Sequence, residues 1–467
     1  MRYIGIDIGS SFVKAAVFDL ESHQIVCSSK WPSAGRLSDP DPRKFEIRVG
    51  DFVNTVRDTI YEAVKNTGKL DGILLSTQMH GFVYSTRGRE DRYVSWQDCR
   101  CVNPLPGTRQ SAMEYLKEQF LPSDMEKCGT YLKPSLGMCN LYALLQSNQT
   151  ISDDGELYTL GSYVISSLTG NNICHASNAA PLGLFDVVAH QWSKGIIEKA
   201  GFGKIKLPKI AQSDFEVCGY YRCCGQEIPV YPDYGDQQTA ILGCLSQDAD
   251  MVVNIATASQ LSVTTAKFTP GDYEIRPYFE NKYINTISNM PGGRNLAVLT
   301  DFLGEICEQI GGCEVTTSQV WNAVLKEFEP DSQGLRIDTD FYATPASVDG
   351  GSISGITPAN LSIRSLFTAA FEDMAEKYSR GIRTLLGDDS TKGRLVFSGG
   401  VSWKTPQLLE LVSRTTGIPY TLSSIPDEVF HGLFRIALVC AGICRSLDDK
   451  PETDDQTEIE TRRNHVI

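Results

Sequence analysis

The sequence predicts an α/β protein made of two related halves, each built on a mixed β-sheet. Two apolar strands around a turn of small residues open the chain at residues 3–20, and the same pattern returns at residues 251–265. Helical patterns and further apolar strands follow both units. The length of 467 residues favours two large domains. We place these domains at residues 1–245 and 246–446, followed by a polar tail at residues 447–467.

In the first half, three strands precede a helix and another strand. Residues 49–65 carry apolar side chains at helical spacing and stop before Gly68, which marks a helix end. The flanking apolar runs have the length and composition of strands. The predicted strands cover residues 3–8, 13–19, 25–29 and 72–76.

The second half repeats this order after a predicted helix at residues 237–245. Aligning Asp7 with Asn254 superposes the two strand–turn–strand units in pattern. Strands are predicted at residues 251–255, 260–265 and 394–397, and helices at residues 295–309, 317–328, 363–386 and 406–415.

Composition excludes several classes of function. A formal net charge of −14 disfavours binding to nucleic-acid phosphates or anionic lipid. No apolar run of 18 residues is present, and the first strand starts too early for a signal peptide, so we expect a cytoplasmic protein without a membrane partner. The 14 scattered cysteines then indicate free thiols. A small-molecule substrate and a monomer or homodimer are expected.

The first turn, residues 7–11, combines Asp7 with Gly9, Ser10 and Ser11. Glycine lets backbone N–H groups approach an anion, hydroxyls add donors, and a carboxylate at a strand end can hold hydrated Mg²⁺. These features suit the terminal phosphates of a nucleotide, although an ordinary polar hairpin turn uses the same residue types. The second hairpin at residues 254–259 favours phosphate binding, because two facing loops can hold one phosphate chain.

No Walker loop or dinucleotide fingerprint is present, so phosphate binding would depend on a hairpin-based cleft. Gly399 and Gly400 follow a predicted strand and precede a helix. Such a turn lets a flat ligand or a phosphate lie against the backbone, but a bare β–α turn also favours glycine.

Asp236 lies at the start of a predicted helix, where the helix dipole favours its ionised form. An ionised carboxylate there can take the proton of a sugar hydroxyl as that oxygen attacks phosphorus. Helix N-capping is the alternative role. The second hairpin begins only 18 residues further on, which favours the catalytic role.

Two stretches after predicted strands, residues 76–81 and 94–98, carry side chains suited to sugars. Amide, imidazole and carboxylate groups bind hydroxyls, and an indole covers the C–H face of a sugar. Taken singly, His80 is compatible with a core histidine and Trp96 with a packing residue. Their position after strand ends favours a ligand site, because ligands gather at the carboxyl ends of strands in α/β sheets.

With these motifs assembled, the chain resembles the FGGY carbohydrate kinases over nearly its whole length. The stretches that carry the resemblance are IGIDIGSSFVKAAVFD, TQMHG, SWQDCRC, GDQQTAILG, NIATASQL and FSGGVSW. The resemblance implies two actin-like ATPase domains, which are ribonuclease-H-like, around an interdomain cleft. Sugar would bind mainly to the first domain and ATP mainly to the second.

The resemblance also implies roles for individual residues. Asp236 would be the general base, and Asp7 with Asp236 would hold Mg²⁺. The expected contacts are Gln78, Met79, His80, Trp96, Asp98 and Asn178 for the ketose, Gly9, Ser10, Ser11, Lys14, Thr257 and Ser259 for the phosphates, and Gly399 and Gly400 for adenosine.

The implied reaction is ATP-dependent phosphorylation of a ketose at its terminal primary hydroxyl. The form of NIATASQL resembles the branch that acts on sedoheptulose, with xylulose and other pentuloses as alternatives. A non-catalytic ATP-binding member is a further alternative, motivated by three departures from the family pattern. Ala256 replaces a glycine, a Gly-Glu-Arg signature is missing around residues 341–345, and bulky residues occupy positions 429–437, where an adenine-side helix is expected.

Overall fold

The computed structural model describes residues 1–147, 151–244, 250–312, 314–326, 328, 331–342, 350–387, 393–423 and 427–449. We refer to residues 1–244 as the N-terminal half and to residues 250–449 as the C-terminal half. The predicted boundary near residue 245 and nearly all of the predicted tail, residues 450–467, lie outside the described residues.

The N-terminal half alternates strands and helices. Its strands are β1 Arg2–Ile8, β2 Phe12–Asp19, β3 Gln24–Pro32, β4 Glu46–Arg48, β5 Gly72–Thr77, β6 Phe82–Ser85, β7 Arg92–Val94, β8 Glu156–Tyr158, β9 Ile173–Cys174, β10 Phe185–Asp186, β11 Gln191–Trp192, β12 Lys209–Ile210, β13 Gly219–Cys223 and β14 Gln226–Gly235. Its helices are α1 Val49–Thr67, α2 Ala112–Gln119, α3 Pro122–Glu126, α4 Gly137–Ser147, α5 Leu160–Thr169, α6 Ala176–Ala179, α7 Lys194–Lys199 and α8 Asp236–Cys244.

The C-terminal half repeats the alternation. Its strands are β15 Met251–Ile255, β16 Ser259–Thr265, β17 Glu274–Pro277, β18 Tyr283–Met290, β19 Arg336–Asp338, β20 Ser352–Ser354, β21 Leu395–Ser398 and β22 Tyr420–Leu422. Its helices are α9 Gly293–Gly311, α10 Thr317–Lys326, α11 Ile363–Leu386, α12 Pro406–Thr416 and α13 Glu428–Cys440. Every strand and helix predicted above is confirmed, with ends that differ by no more than three residues.

The two main sheets share the order and direction of five strands, and their sixth strands, β13 and β17, lie at opposite edges. The first has the order β13–β14–β5–β1–β2–β3, and the second has the order β17–β18–β16–β15–β21–β22. Each sheet contains an antiparallel hairpin, β1–β2 in the first and β15–β16 in the second. In the first sheet, β5 pairs in parallel with β1, and β14 pairs in parallel with β5. In the second sheet, β21 pairs in parallel with β15, and β22 pairs in parallel with β21. Asp7 pairs in register with Ser76, and Asn254 pairs with Ser398, so the sequence alignment of Asp7 with Asn254 holds in the sheets.

Helix α1 shows how the sequence pattern determines packing in the first half. Its buried face includes Phe52, Val56 and Ile60, at the spacing of one helical stripe, and it packs on the first sheet. Burying each such side chain stabilises the fold by roughly 1.5–3 kcal/mol. The helix ends at Gly68, whose φ of 82° suits glycine and whose N–H donates to the Val64 carbonyl at 2.8 Å.

Helices α8 and α13 lie between the two halves and join them. Their apolar side chains form one core with Leu74 of the first sheet and Val252 of the second. The helices approach closely because each contributes a glycine at the crossing. A Cβ on Gly243 would lie 1.9 Å from the Glu428 carbonyl oxygen, and a Cβ on Gly432 would lie 2.0 Å from that of Thr239.

The cysteines that the structure describes are free thiols, as predicted. Within the described ranges, no helix is both long and apolar enough to cross a membrane.

Candidate active site

The carboxyl ends of β1, β5 and β14 lie side by side at one edge of the first sheet. Both β1 and β14 run parallel to β5, and Gly235 pairs with Thr77 at the far end. Strands in a sheet are about 4.8 Å apart, so the ends of β1 and β14 are separated by about 10 Å. Asp7, Gln78 and Asp236 therefore come together from distant parts of the sequence.

Asp7 is a buried carboxylate with unused hydrogen-bonding capacity. It is 7% exposed, and its Oδ1 atom has no hydrogen-bond partner. Burial, followed by repulsion from Asp236, raises the pKa of Asp7 to about 7, although Lys14 opposes this rise. Lys14 thus offsets only part of the effects that disfavour the ionised form of Asp7.

Asp236 is the first residue of α8, as the sequence predicted. Its Oδ1 accepts a hydrogen bond from the Gln237 backbone N–H at 2.8 Å. Burial raises the pKa of Asp236 to about 6, while this N–H and the Arg276 guanidinium favour the ionised form. A carboxylate with that pKa is largely ionised at neutral pH and is still basic enough to accept a proton.

The two carboxylates fit a magnesium ion better than a metal bound entirely by protein. No group of three or more His, Cys, Asp or Glu side chains in the described part of the chain is arranged to hold a metal. Magnesium commonly keeps several waters and binds through one or two carboxylates plus substrate phosphates. The unpartnered Asp7 Oδ1, close to a second acid, matches that donor set.

The first hairpin presents hydroxyls and a lysine to the cleft. The Gly9 N–H donates to the Phe12 carbonyl at 3.0 Å and closes the turn, which leaves Ser10 and Ser11 exposed. Lys14 on β2 reaches the other half of the molecule, where its Nζ lies 2.9 Å from Asp427 Oδ2. This ion pair connects the first hairpin to the start of α13.

The second hairpin turn differs in part from expectation. Thr257 is exposed at the turn, and the Ala256 N–H donates to the Ala258 carbonyl at 3.3 Å. Ser259, however, is buried, and its hydroxyl lies 2.6 Å from the Tyr378 hydroxyl. The side chain of Ser259 therefore points into the core of the C-terminal half instead of toward the turn, and its contact with phosphate stays a prediction.

Gly399 and Gly400 follow β21, next to the second hairpin. Gly399 has a φ of 87°, and a Cβ there would lie 2.6 Å from the Ile255 carbonyl oxygen, so only glycine fits. Its backbone N–H donates to the Glu428 carboxylate. A Cβ on Gly400 would meet no atom within 4 Å, which places Gly400 beside open space.

The residues that follow β5 line the cleft near Asp236. The Gln78 amide donates to the Gly9 carbonyl at 3.3 Å, and Met79 lies against Gly235. His80 has a φ of 67°, and its Nδ1 is buried without a partner. Burial, together with the positive charges of Lys133 and Arg276, holds the pKa of His80 well below its ordinary value. The neutral imidazole is thus available to bond with a ligand hydroxyl.

Trp96 is 41% exposed, whereas Asp98 and Asn178, which were also predicted to contact the ketose, are buried. Asp98 is fully buried, and its oxygens accept from the Arg100 guanidinium at 2.9 and 2.6 Å. Asn178 donates to the Thr77 hydroxyl at 3.0 Å inside the N-terminal half. Both side chains are thus held by protein partners within the N-terminal half.

A cluster of buried charges beside His80 was missed in the sequence. Lys133, Glu274 and Arg276 are each less than a tenth exposed, and Glu274 lies 2.7 Å from Lys133 and 3.1 Å from Arg276. Burial would raise the pKa of Glu274, but the two cations hold it well below the ordinary value. The pattern Glu-Ile-Arg at residues 274–276 was the available clue, because alternation on a strand places both charges on one face.

The bulky residues at positions 429–437 also have a structural explanation. Phe430, Leu433 and Phe434 are buried in the core shared by α8 and α13, and Phe434 packs edge-on against Phe18. These side chains therefore join the two halves and do not line an adenine pocket. The missing Gly-Glu-Arg signature falls mostly on residues 343–345, which lie outside the described residues.

Comparisons with known proteins identify the family of the chain. Residues 2–243 match the N-terminal domain of the FGGY family of carbohydrate kinases. The chain is 24% identical to sedoheptulokinase from Mus musculus, over 91% of this chain and 95% of that protein. It is 25% identical to sedoheptulokinase from Homo sapiens, over 69% of this chain and 73% of that protein.

Solved structures share the fold. A xylulose kinase from Rhodospirillum rubrum superposes with a TM-score of 0.83 at 16% identity, covering 96% of this chain and 91% of that one. A Plasmodium falciparum glycerol kinase with ADP gives a TM-score of 0.80 at 18% identity, again covering 96% and 91%. These likenesses confirm two actin-like ATPase domains around a cleft.

Proposed function

The chain belongs to the FGGY family of carbohydrate kinases, and on that basis we propose that it transfers the γ-phosphoryl group of ATP to the terminal primary hydroxyl of a ketose. Sedoheptulose, which would give sedoheptulose 7-phosphate, is the substrate that we propose. Similarity to mouse sedoheptulokinase along nearly the whole of both chains supports this choice. The sequence of the second hairpin, NIATASQL at residues 254–261, also supports sedoheptulose as the substrate.

One observation carries the catalytic part of the proposal. Asp7, with an unpartnered buried oxygen, and Asp236, at the start of α8, lie close enough that Asp236 raises the pKa of Asp7. Two such acids suit a reaction in which one positions the metal and the other accepts a proton. A bound magnesium ion would give the buried Asp7 Oδ1 the partner that it lacks.

In the proposed reaction, Asp236 accepts the proton of the ketose hydroxyl as that oxygen attacks the γ-phosphorus. The bond from phosphorus to the ADP oxygen breaks, and the phosphoryl group passes to the sugar. Mg²⁺ held through Asp7 and Asp236 would supply neutralisation of the phosphate charge. Fixed alignment of the two reactants would supply most of the remaining acceleration.

The cleft offers separate surfaces for the two substrates. Ser10, Ser11 and Thr257 are exposed hydroxyls at the two hairpin turns, and Lys14 supplies a positive charge beside them. We assign these groups to the phosphates and the open side of Gly400 to adenosine. Residues that follow β5 and β7, including His80 and Trp96, are assigned to the ketose.

Xylulose and other pentuloses are the alternative acceptors. The xylulose kinases among the structural neighbours show the fold alone, at 16% identity, so they do not favour a pentulose over a heptulose. A cytoplasmic location and a monomeric or homodimeric state stay predictions from the sequence.

A ketose panel tests the substrate. ADP release is measured with ATP and Mg²⁺ in the presence of sedoheptulose, xylulose, ribulose, fructose or glycerol. We expect the highest kcat/KM for sedoheptulose, with the phosphate located on the terminal carbon by NMR. A higher kcat/KM for a pentulose would replace sedoheptulose as the substrate, and ATP turnover independent of any ketose would contradict the proposed transfer.

Asp236→Asn tests the base. The amide keeps the shape of the side chain but cannot accept the proton, so kcat should fall by at least about 10³-fold. Binding of ATP, followed by calorimetry, should persist because the phosphate contacts come from the hairpins. Activity of the variant close to that of the wild type would rule out the base role.

A further inference from the structure

A chain of buried polar contacts crosses between the two halves close to Asp236. It starts in the N-terminal half at Lys133, whose Nζ donates to Glu274 Oε1 at 2.7 Å. Glu274 lies on β17 of the C-terminal half and also accepts from Arg276 Nη2 at 3.1 Å. Arg276 then reaches back across the interface, where its Nη1 donates to the side-chain oxygen of Gln237 on α8. The chain thus crosses the interface twice.

Gln237 is held on both sides of its amide. Its oxygen accepts from Arg276, and its Nε2 lies 3.2 Å from both the Ser262 and Thr286 hydroxyls of the second sheet. Those two hydroxyls are themselves 3.0 Å apart and are buried. The side chain therefore has one orientation, which is set entirely by the C-terminal half.

Gln237 in turn holds Asp236. Its backbone N–H donates to Asp236 Oδ1 at 2.8 Å, and this is a short charge-assisted bond. Any rotation of the first turn of α8 would move this N–H and the carboxylate together. The direction in which Asp236 points is thus connected, through one residue, to the C-terminal half.

We propose that Arg276 is a positioning residue for Asp236, acting across the interface through Gln237. The inference rests on the proposed function, since it assigns Arg276 a part in the transfer step. The base lies on one half and the residue that orients it lies on the other. The carboxylate is therefore correctly aimed only when the halves adopt the relative position that the Lys133–Glu274–Arg276 cluster stabilises.

Arginine suits this task better than lysine. The planar guanidinium presents separate N–H groups to Gln237 and Glu274 in fixed directions, whereas an ammonium is a point charge on a flexible stem. Arg276 is 7% exposed, so its contacts are shielded from water. Loss of the guanidinium would also leave Glu274 with only one cation, Lys133, and the Gln237 oxygen without a charged donor.

A double-mutant cycle tests the proposal. Arg276→Met, Gln237→Leu and the combination are compared with the wild type under saturating ketose and ATP. Misplacing a catalytic group by about 1 Å can cost roughly 10²-fold, so each single variant should lower kcat by about 10- to 100-fold, with the KM for ATP changed less than about twofold. The double variant should be no slower than the slower single variant, because both changes break the same connection.

Three controls keep the result interpretable. Arg336→Met removes an exposed arginine of the C-terminal half and should leave kcat unchanged. Arg276→Lys should recover only part of the loss. Gln237→Leu leaves the Arg276–Glu274 pair in place, so it still tests the connection if Arg276→Met fails to fold. Single variants with kcat within about twofold of the wild type, or additive effects in the double variant, would overturn the proposal.

Hydrogen exchange supplies a readout that does not need activity. The peptide covering α8 should exchange several-fold faster in Arg276→Met and Gln237→Leu than in the wild type and Arg336→Met. Unchanged exchange in both variants would also overturn the positioning role. If the wild type releases no ADP with any ketose, the proposed function fails, and the exchange rates alone decide whether Arg276 orders α8.

Discussion

The proposed active-site acid Asp7 is held in a state that lowers the stability of the protein when no cation is bound. Asp7 is buried, and its pKa is raised to about 7 from 3.8, chiefly by burial and secondly by Asp236. The folded protein therefore binds a proton at Asp7 more tightly than the unfolded chain does. Above the ordinary pKa of the carboxyl, stability is lost as pH rises, and the loss is complete above about pH 7.

Asp7→Asn should therefore stabilise the protein in the absence of magnesium and nucleotide. At pH 8 we expect a gain on the order of a few kcal/mol in the free energy of unfolding, which shrinks as the pH falls toward 4. Urea denaturation at several pH values measures it. Asp301→Asn, which removes an exposed carboxylate from α9, is the control. If the free energy of unfolding depended on pH in the same way for Asp7→Asn and the wild type, the prediction would be contradicted.

For single residues, the sequence indicated which residue types occupy turns and helix starts, but it did not indicate the direction in which each side chain points. Asp7, Gly9 and Asp236 were recognisable because turn and helix-start positions are set by short-range rules. Asp98 and Ser259 were predicted to contact ligands, and the sequence did not indicate that both side chains are buried, because tertiary packing decides whether a side chain at a strand end or loop faces a cleft or a core. For Ser259 the buried orientation depends on Tyr378, which is distant in sequence. For Asp98 it depends on the path of the loop that places the Arg100 guanidinium against its carboxylate.

The crossing of helices α8 and α13 is a contact that requires glycine on both helices. Both Gly243 and Gly432 face a backbone carbonyl of the opposite helix at a distance that admits no side chain. The apolar residues around them, including Phe430 and Leu433, can then fill the space between the two sheets. A methyl group at either glycine would push the helices apart.

Gly432→Ala should thus destabilise the protein by at least about 2 kcal/mol, because the added Cβ overlaps the Thr239 carbonyl oxygen. The melting temperature and urea midpoint measure the effect. Gly304→Ala is a matched control, since Gly304 lies within α9 with no atom within 4 Å of the added Cβ. There, alanine should be neutral or should stabilise by up to about 1 kcal/mol. Equal effects of the two changes would refute the tight-crossing interpretation.

Local patterns predicted 13 strands and helices, fewer than half of those in the described residues; β14 was not among them, and the role of α13 was not predicted either. β14 contains Pro229 and Pro232, which disfavour a strand assignment by sequence rules. A register shift between Val230 and Asp233 accommodates them beside β5. For α13, the apolar residues indicated burial, but only the folded molecule identifies α8 as the partner.

Across the whole molecule, Lys14 and Asp427 connect the two halves at the cleft. Their 2.9 Å ion pair joins β2 to the residue that precedes α13, and both side chains remain about a third exposed. Burial alone would lower the pKa of Lys14, but Asp427 raises it above the ordinary value. In the proposed function, a phosphate must compete with Asp427 for this lysine.

Asp427→Asn should therefore lower the KM for ATP by about 3- to 10-fold at low ionic strength, because the lysine no longer has a competing carboxylate. The difference should diminish as salt screens the charges. Initial-rate kinetics at two salt concentrations measure it. Asp153→Asn, which breaks the exposed pair with Lys204, makes the same change in net charge far from the cleft. A KM that is unchanged or higher in Asp427→Asn would count against competition.

The matching order of strands in the two sheets has a consequence for how a nucleotide enters. If the two hairpin turns were identical, a bound triphosphate could lie in either of two equivalent orientations, with its terminal phosphate at the first turn or at the second. Here Asn254 occupies the position that corresponds to Asp7, so an acid stands on one side only. An amide cannot anchor a cation as a carboxylate does. The duplicated architecture therefore has a built-in polarity, and in the proposed function it would direct the reactive end of the nucleotide toward the half that holds the sugar.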